Sequence, residues 1–178
     1  EAGGAVELVA RAVRPLRRRL FPSIPAGHPA ESALVMNLAA NMLGLDNAAT
    51  PIGLKAMAGL QELNPDPESV SDDQVLFLVV NASSVTVIPA PLFAYRAQLG
   101  AAHPAAVFIP ILIATFASTL AGLLVTAFVQ RRRLHDPVIL AYLLGLTALV
   151  GGLALHFARL DQAAVERQST LLAASAVL

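Results

Sequence analysis

Two stretches decide the fold: residues 104–129, PAAVFIPILIATFASTLAGLLVTAFV, and, after a short turn, residues 138–157, VILAYLLGLTALVGGLALHF. Neither contains an Asp, Glu, Lys or Arg. A helix rises about 1.5 Å per residue, so about 20 apolar residues cross the ~30 Å hydrocarbon core of a bilayer. Both stretches reach that length and predict membrane-spanning helices. The connection between them is too short for anything but an antiparallel pair. It carries Arg131-Arg132-Arg133, and arginines gather on the cytoplasmic side of membrane proteins. The expected fold class is an all-α integral membrane protein, multi-pass in a bacterial inner membrane, with this turn in the cytoplasm.

Composition points the same way. Of the 178 residues, 56% are hydrophobic and 13% charged, against about 25% charged in a soluble domain. Net charge is +0, so no global field attracts nucleic acid, and the partner expected is the lipid bilayer. Absence of cysteine excludes disulfides and thiolate metal sites. The chain begins at Glu1 rather than Met and turns apolar again at Leu171, which suggests a piece of a longer protein.

Upstream, Val6, Val9, Val13, Leu16 and Leu20 form one stripe at steps of three and four, with Arg11, Arg14 and Arg18 off it and Arg17 and Arg19 thickening the basic end. Such a helix either lies on an anionic membrane surface or packs on its own protein. FPSIPAGHP, residues 21–29, is a Pro-rich break, and His28 within it reads as a solvated loop residue. The expected organisation is 1–28 amphipathic helix and linker, 29–98 broken helices, 99–160 helical hairpin, and 161–178 linker with a further apolar start.

Ser32–Leu45 has no charge but is only about 14 residues long, short of a crossing. It predicts a buried or re-entrant half-helix, broken at Gly44-Leu45-Asp46-Asn47. Thr50-Pro51 then predicts a restart, with Thr50 as N-cap and Pro51 at the first helical position. That helix should stop at Asn64-Pro65. Ser71 and Gln74 form a capping box for the next helix. Val75–Tyr95 is long enough to cross, but Asn81-Ala82-Ser83-Ser84 and the prolines at 89 and 91 argue for a broken helix. Ser118 with Gly122, Ala141 with Gly145, and Ala148 with Gly152 are small-xxx-small pairs that allow close helix packing. Residues 1–20 carry five Arg and two Glu, a charge of +3. Putting this end in the cytoplasm with the arginine turn requires Ser32–Leu63 to enter and leave on one side.

Candidate chemistry lies in the breaks. Asn37 and Asn41 are four apart and share a helix face. An amide in an apolar stretch is costly unless hydrogen-bonded. The tip 44–50 should aim the unpaired N–H groups of Ile52, Gly53 and Leu54 at a carboxylate, a phosphate or a polar ligand edge. Asp46 either binds a cation or proton or caps the following helix, with Lys55 as an ion-pair partner. The expected substrate-binding set is Asn37, Asn41, Asp46, Asn47, Thr50, Asn81, Ser83 and Ser84. The competing reading is that these amides only tie the broken helices together. Leu34-Val35-Met36-Asn37 and Leu78-Val79-Val80-Asn81 look alike and hint at an internal repeat. No G-x-S-x-G, H-E-x-x-H or glycine-rich phosphate loop is present, and His28, His103, His135 and His156 have no metal-ligand spacing. No enzyme, metal or cofactor is expected; Ser83 and Ser84 have no base nearby in sequence.

Residues 36–57, MNLAANMLGLDNAATPIGLKAM, with Leu60–Asn64 (LQELN), Phe77–Ser84 (FLVVNASS), Ile88-Pro89, Arg14-Pro15 and Leu20–Pro25, resemble the spore maturation protein A family over roughly residues 1–130. The resemblance implies a nucleoside-recognition, or gate, domain similar to part of the concentrative nucleoside transporters. It implies an inner-membrane protein linked to spore core dehydration, acting with a spore maturation protein B-like subunit or fused half, which the restart at Leu171 could begin. A homo-oligomer is compatible with it. Asp46 stands where the family pattern suggests glycine. Two functions follow as expectations: a transporter-like protein binding a small polar or anionic solute, or a membrane scaffold that organises partners.

Overall fold

A computed structural model describes Leu8, residues 11–12, 15–87, 89–131, 137–159 and 167–168, and Leu171; within these, nothing is said of the side chains of Asp46, Val138, Ile139, Tyr142, Leu146, Leu149, Phe157 and Ala158. The described residues form helices α1 (Pro29–Met42), α2 (Asp46–Glu62), α3 (Asp72–Ala82), α4 (Ala90–Gln98), α5 (Phe108–Val129) and α6 (Pro137–Ala158), with a 3-10 turn at Pro104–Val107 and a helical segment at residues 15–20. No strand occurs among them.

Local chemistry sets the boundaries. His28 is the N-cap of α1: its Nδ1 accepts from the Ala30 N–H at 3.2 Å, and Pro29 sits where no N–H is needed. The reading of His28 as solvated is thereby corrected. α1 ends in a Schellman turn. The Gly44 N–H donates to Asn41, the Leu45 N–H donates to Ala40, and Gly44 has φ +65, a conformation costly for other residues. α3 opens on the expected capping box, Ser71 Oγ accepting from Gln74 N at 3.3 Å and Gln74 Oε1 accepting from Ser71 N at 2.8 Å.

α2 departs from expectation. It starts at Asp46, with Leu45 as N-cap, and Pro51 lies inside it rather than at its first position. The N–H groups of Ala48 and Ala49 both donate to the Leu45 carbonyl, so the first turn closes before the proline arrives. Proline is tolerated near a helix start because little of the ladder lies behind it to be broken. The stripe facing α1 is then Ala49, Gly53, Ala56 and Leu60, small except at its base. A Cβ on Gly59 would lie 2.7 Å from that of Ala30, so the helices of this hairpin approach closely.

The interruption of Val75–Tyr95 is present: α3 stops at Ala82, residues 83–87 run without helix, and α4 begins at Ala90. Pro104–Val129 is 26 residues long with mean hydropathy 2.2, long and apolar enough to cross a membrane. The second expected span is helical as well. α6 forms over 22 residues, Pro137–Ala158, and its apolar stretch among the described residues is Leu143–His156. Gly145 and Gly152, expected to bring helices together, have nothing within 4 Å of an added Cβ, whereas Gly122 is tightly covered. Arg132, Arg133 and His135 lie outside the described residues.

The helix ends align. Gln130 Nε2 donates to the Asp72 carbonyl at 2.8 Å, Gln74 Nε2 donates to Gln61 Oε1 at 2.7 Å, and His28 Nε2 lies 4.0 Å from Glu62 Oε2. Both ends of the α1–α2 hairpin therefore lie level with the start of α3 and the end of α5. A core of Phe21, Ile24, Leu34, Leu38, Leu60 and Phe77 fills this base. Residues 15–20 pack onto it, with Leu20 buried. Val6, Val9, Val13 and Arg14 are outside the described residues. Arg17, read as part of a basic face, is instead 3% exposed and paired with Glu31.

Candidate functional site at the hairpin tip

Three of the expected side chains meet where the hairpin tip reaches the break after α3. Asn37, 2% exposed, donates Nδ2 to the Ala49 carbonyl at 2.8 Å, joining the two hairpin helices. Gly53 makes room for it: an added Cβ would lie 2.8 Å from that Nδ2. Asn41 Nδ2 donates to Asn37 Oδ1 at 3.3 Å and to Asn81 Oδ1 at 2.6 Å. Asn81 Nδ2 returns to its own helix, donating to the Phe77 carbonyl at 2.8 Å. The result is a continuous relay of amides across α1, α2 and α3, anchored at each end on a backbone carbonyl. A network whose members are all bonded is stiff, and low local polarity strengthens each bond.

The break itself is tied down from α5. Thr119 Oγ1 donates to the Ser83 carbonyl, and Thr115 Oγ1 accepts from the Thr86 N–H at 3.2 Å. Ser83 Oγ donates to Val79 O at 2.7 Å, and the Ser84 N–H donates to Asn81 O at 3.4 Å. A Cβ on Gly122 would come within 2.8 Å of Val79 and 3.2 Å of Ser83 Oγ, so α3 is seated on that glycine. Thr115, Thr119 and Gly122 follow at steps of four and three, a small polar stripe on a helix read from hydropathy as a plain span. The stripe was visible in the sequence, though nothing there said which segment it faces.

The other expected residues are placed differently. Asn47 and Thr50 are exposed, because starting α2 at Asp46 turns the Ala49–Gly53 face toward α1 and those two away from it. Ile52, Gly53 and Leu54 lie inside α2, so the helix end at the tip is made by residues 46–48 and not by their N–H groups. Lys55 is exposed and makes no ion pair among the described residues. It stands nine residues after Asp46, about 13 Å along one continuous helix.

At the opposite, polar end a cleft of about 410 Å³ opens between Ser23, Leu60, Asp72, Asp73, Gln130 and Arg131. Asp73 is buried there and accepts from Ser23 Oγ. Close by, burial would push the Glu31 carboxyl up, but the Gly27 N–H at 3.1 Å and the Arg17 guanidinium outweigh it and hold the group below the usual 4.5. Among the described residues no group of His, Asp and Glu could hold a metal ion.

Set beside known proteins, the chain matches no protein-family model and no solved structure. It is 36% identical over 133 residues to the spore maturation protein A of Bacillus subtilis (strain 168), an overlap that takes in 75% of this chain and 68% of that one. With that identity sustained over two thirds of both proteins, the chain belongs to the spore maturation protein A family.

Proposed function

We propose that this chain is a multi-pass inner-membrane protein that acts in spore maturation and carries a transporter-like site for a small polar or anionic solute. The observation that supports it is the amide relay Asn37–Asn41–Asn81 at the junction of two interrupted elements. Asn41 lies twelve residues into the hairpin from Pro29, about 18 Å, and Asn81 nine residues from Asp72, about 14 Å. With the aligned polar ends at the cytoplasmic face of a hydrocarbon core ~30 Å thick, the relay sits near the midplane. Transporters place solute sites there, between broken helices. In this reading α5 and α6 span the bilayer, α1–α2 is a re-entrant hairpin, and exposed Leu124, Val125, Phe128 and Val129 face lipid.

Uptake into vesicles reconstituted with the full-length protein tests it. Wild type should take up solute, and Asn41→Ala and Asn81→Ala should reduce uptake at least tenfold; equal uptake in all three would remove the site.

A second reading rests on the same amides being bonded to one another, as a scaffold would have them. The exposed apolar side chains of α5 would then receive a spore maturation protein B-like subunit. Co-purification with such a subunit, unchanged in Asn41→Ala, together with an absence of uptake, would favour it.

A further inference from the structure

Helix α5 serves as a ruler for the chain that follows α3. Thr119 Oγ1 holds the Ser83 carbonyl and, one turn nearer the start of α5, Thr115 Oγ1 accepts from the Thr86 N–H. The chain therefore climbs α5 away from the polar base. At the top, the Phe93 ring meets that of Phe108 edge-on at 6.2 Å, and Arg96 Nε donates to the Pro104 carbonyl at 3.0 Å. α4 is thus fixed beside the first residues of a 22-residue helix, about 33 Å from Gln130, which matches the thickness of a hydrocarbon core. No residue of α4 is buried. Leu92, Tyr95 and Leu99 follow at steps of three and four and so share one face, and they are 41%, 62% and 87% exposed. Gly100, at φ +77, then ends the helix, its N–H donating to Ala97 O and the Ala101 N–H to Arg96 O.

We propose that α4 is an interfacial helix of the outer leaflet, with Leu92, Tyr95 and Leu99 set among phospholipid acyl chains. This rests on the bilayer reading above and extends it to the opposite boundary. Three large side chains on one face of a surface helix either stand in water or insert where headgroups meet chains. The position of α4 at the start of α5 decides for insertion, because it puts the helix at that depth. Tyrosine suits the same zone, its ring among chains and its hydroxyl in the wet headgroup layer. Apart from the Nε bond to Pro104, the Arg96 guanidinium makes no hydrogen bond among the described residues, and a cation beside the stripe suits a phospholipid phosphate. Ala94 and Gln98, off the stripe, are small or polar and exposed, as a water-facing side requires. Seated this way, α4 anchors the far end of the break whose near end is held by Thr115 and Thr119.

The chain contains no tryptophan, so single-tryptophan variants of the full-length protein, reconstituted in phosphatidylcholine–phosphatidylglycerol vesicles, test this. Lipids brominated near the headgroup end or near the tail end of their acyl chains report depth, and acrylamide reports water. Emission of Tyr95→Trp and of Leu92→Trp should be quenched at least twofold by the shallow bromines and less by the deep ones. Ala94→Trp should respond mainly to acrylamide. Two stripe positions are used so that a variant that misfolds, as judged by its elution profile, leaves the other to decide. Quenching of the stripe by acrylamide and not by bromine overturns the inference, since the face then lies in water. Protection from both quenchers also overturns it, because a protein surface then covers the face. Stronger quenching by the deep bromines overturns it too, making α4 part of a crossing. Val125→Trp, on the exposed side of α5, reports on the bilayer reading itself. With bromine quenching there, a failure at α4 leaves that reading standing; without it, both are overturned.

Discussion

The Val87 N–H donates to the Met42 carbonyl at 2.7 Å, so the non-helical residues after α3 close directly onto the last turn of α1. Two breaks that are separate in sequence satisfy each other. A carbonyl at a helix end has no partner within its own helix, and here the donor comes from the non-helical segment that follows α3. The tip and the break are therefore one structural unit, and changes to either should be felt in both.

Thr119→Val and Thr115→Val each remove a hydroxyl that holds this unit from α5. Each should destabilise by about 1–3 kcal/mol, because a backbone group is left without its partner. Amide hydrogen exchange should rise at residues 83–87 and at Asn41 while staying unchanged at the α1–α2 base. Faster exchange spread evenly over the chain would argue against a local tie.

Gly53→Ala and Gly145→Ala should act in opposite directions. The first places a methyl 2.8 Å from Asn37 Nδ2, and overpacking of that kind costs about 1–3 kcal/mol. The second meets nothing within 4 Å and should gain up to about 1 kcal/mol from helix propensity. Thermal unfolding of the two variants in the same detergent separates them.

Gly44→Ala strains the tip, since φ +65 is left-handed backbone. The cost should be about 1–2 kcal/mol, and Gly44→Asn should recover part of it because asparagine tolerates that conformation. Urea or thermal unfolding of the pair gives the order directly.

The Arg17–Glu31 pair gives a pH dependence of known sign. Glu31 titrates below its usual 4.5 in the folded chain. The unfolded chain therefore takes up the proton first, and the pair's contribution is present above pH 4.5 and is lost as pH falls through the folded value. Glu31→Gln should be less stable than wild type at neutral pH, by about 1–2 kcal/mol, since Arg17 is buried while Glu31 is partly screened by solvent. Melting temperatures of the two should converge in acid, and a gap that persists there would assign the loss to packing rather than charge.

Much of this was legible in the sequence because it rests on local chemistry. The Ser71–Gln74 capping box, the Gly44 break, the stop near Asn64 and the interruption after Asn81 each follow from a short run of residues. Asn37 and Asn41 share a face by spacing alone. What the sequence concealed depends on where α2 begins. Pro51 pointed to a start five residues late, and that displaced the inward face, so Asn47 and Thr50 were expected inside, Ala49 was passed over, and Gly53 was read only for its N–H. Partners distant in the chain were equally hidden: Asn41 reaches Asn81 across 40 positions, and no local pattern pairs them. Arg17 misled because a charge in a basic run usually faces water, and its partner lies 14 residues on.

The seating of α3 on α5 also orders events during synthesis. Ser83 waits for Thr119, 36 residues downstream, and Asp72 for Gln130, 58 residues downstream. A ribosome has therefore released the hairpin and the whole of α3 before their support exists. Until α5 emerges, the nascent chain holds a half-built unit whose amides must find water or one another, and the last turn of α5 completes it.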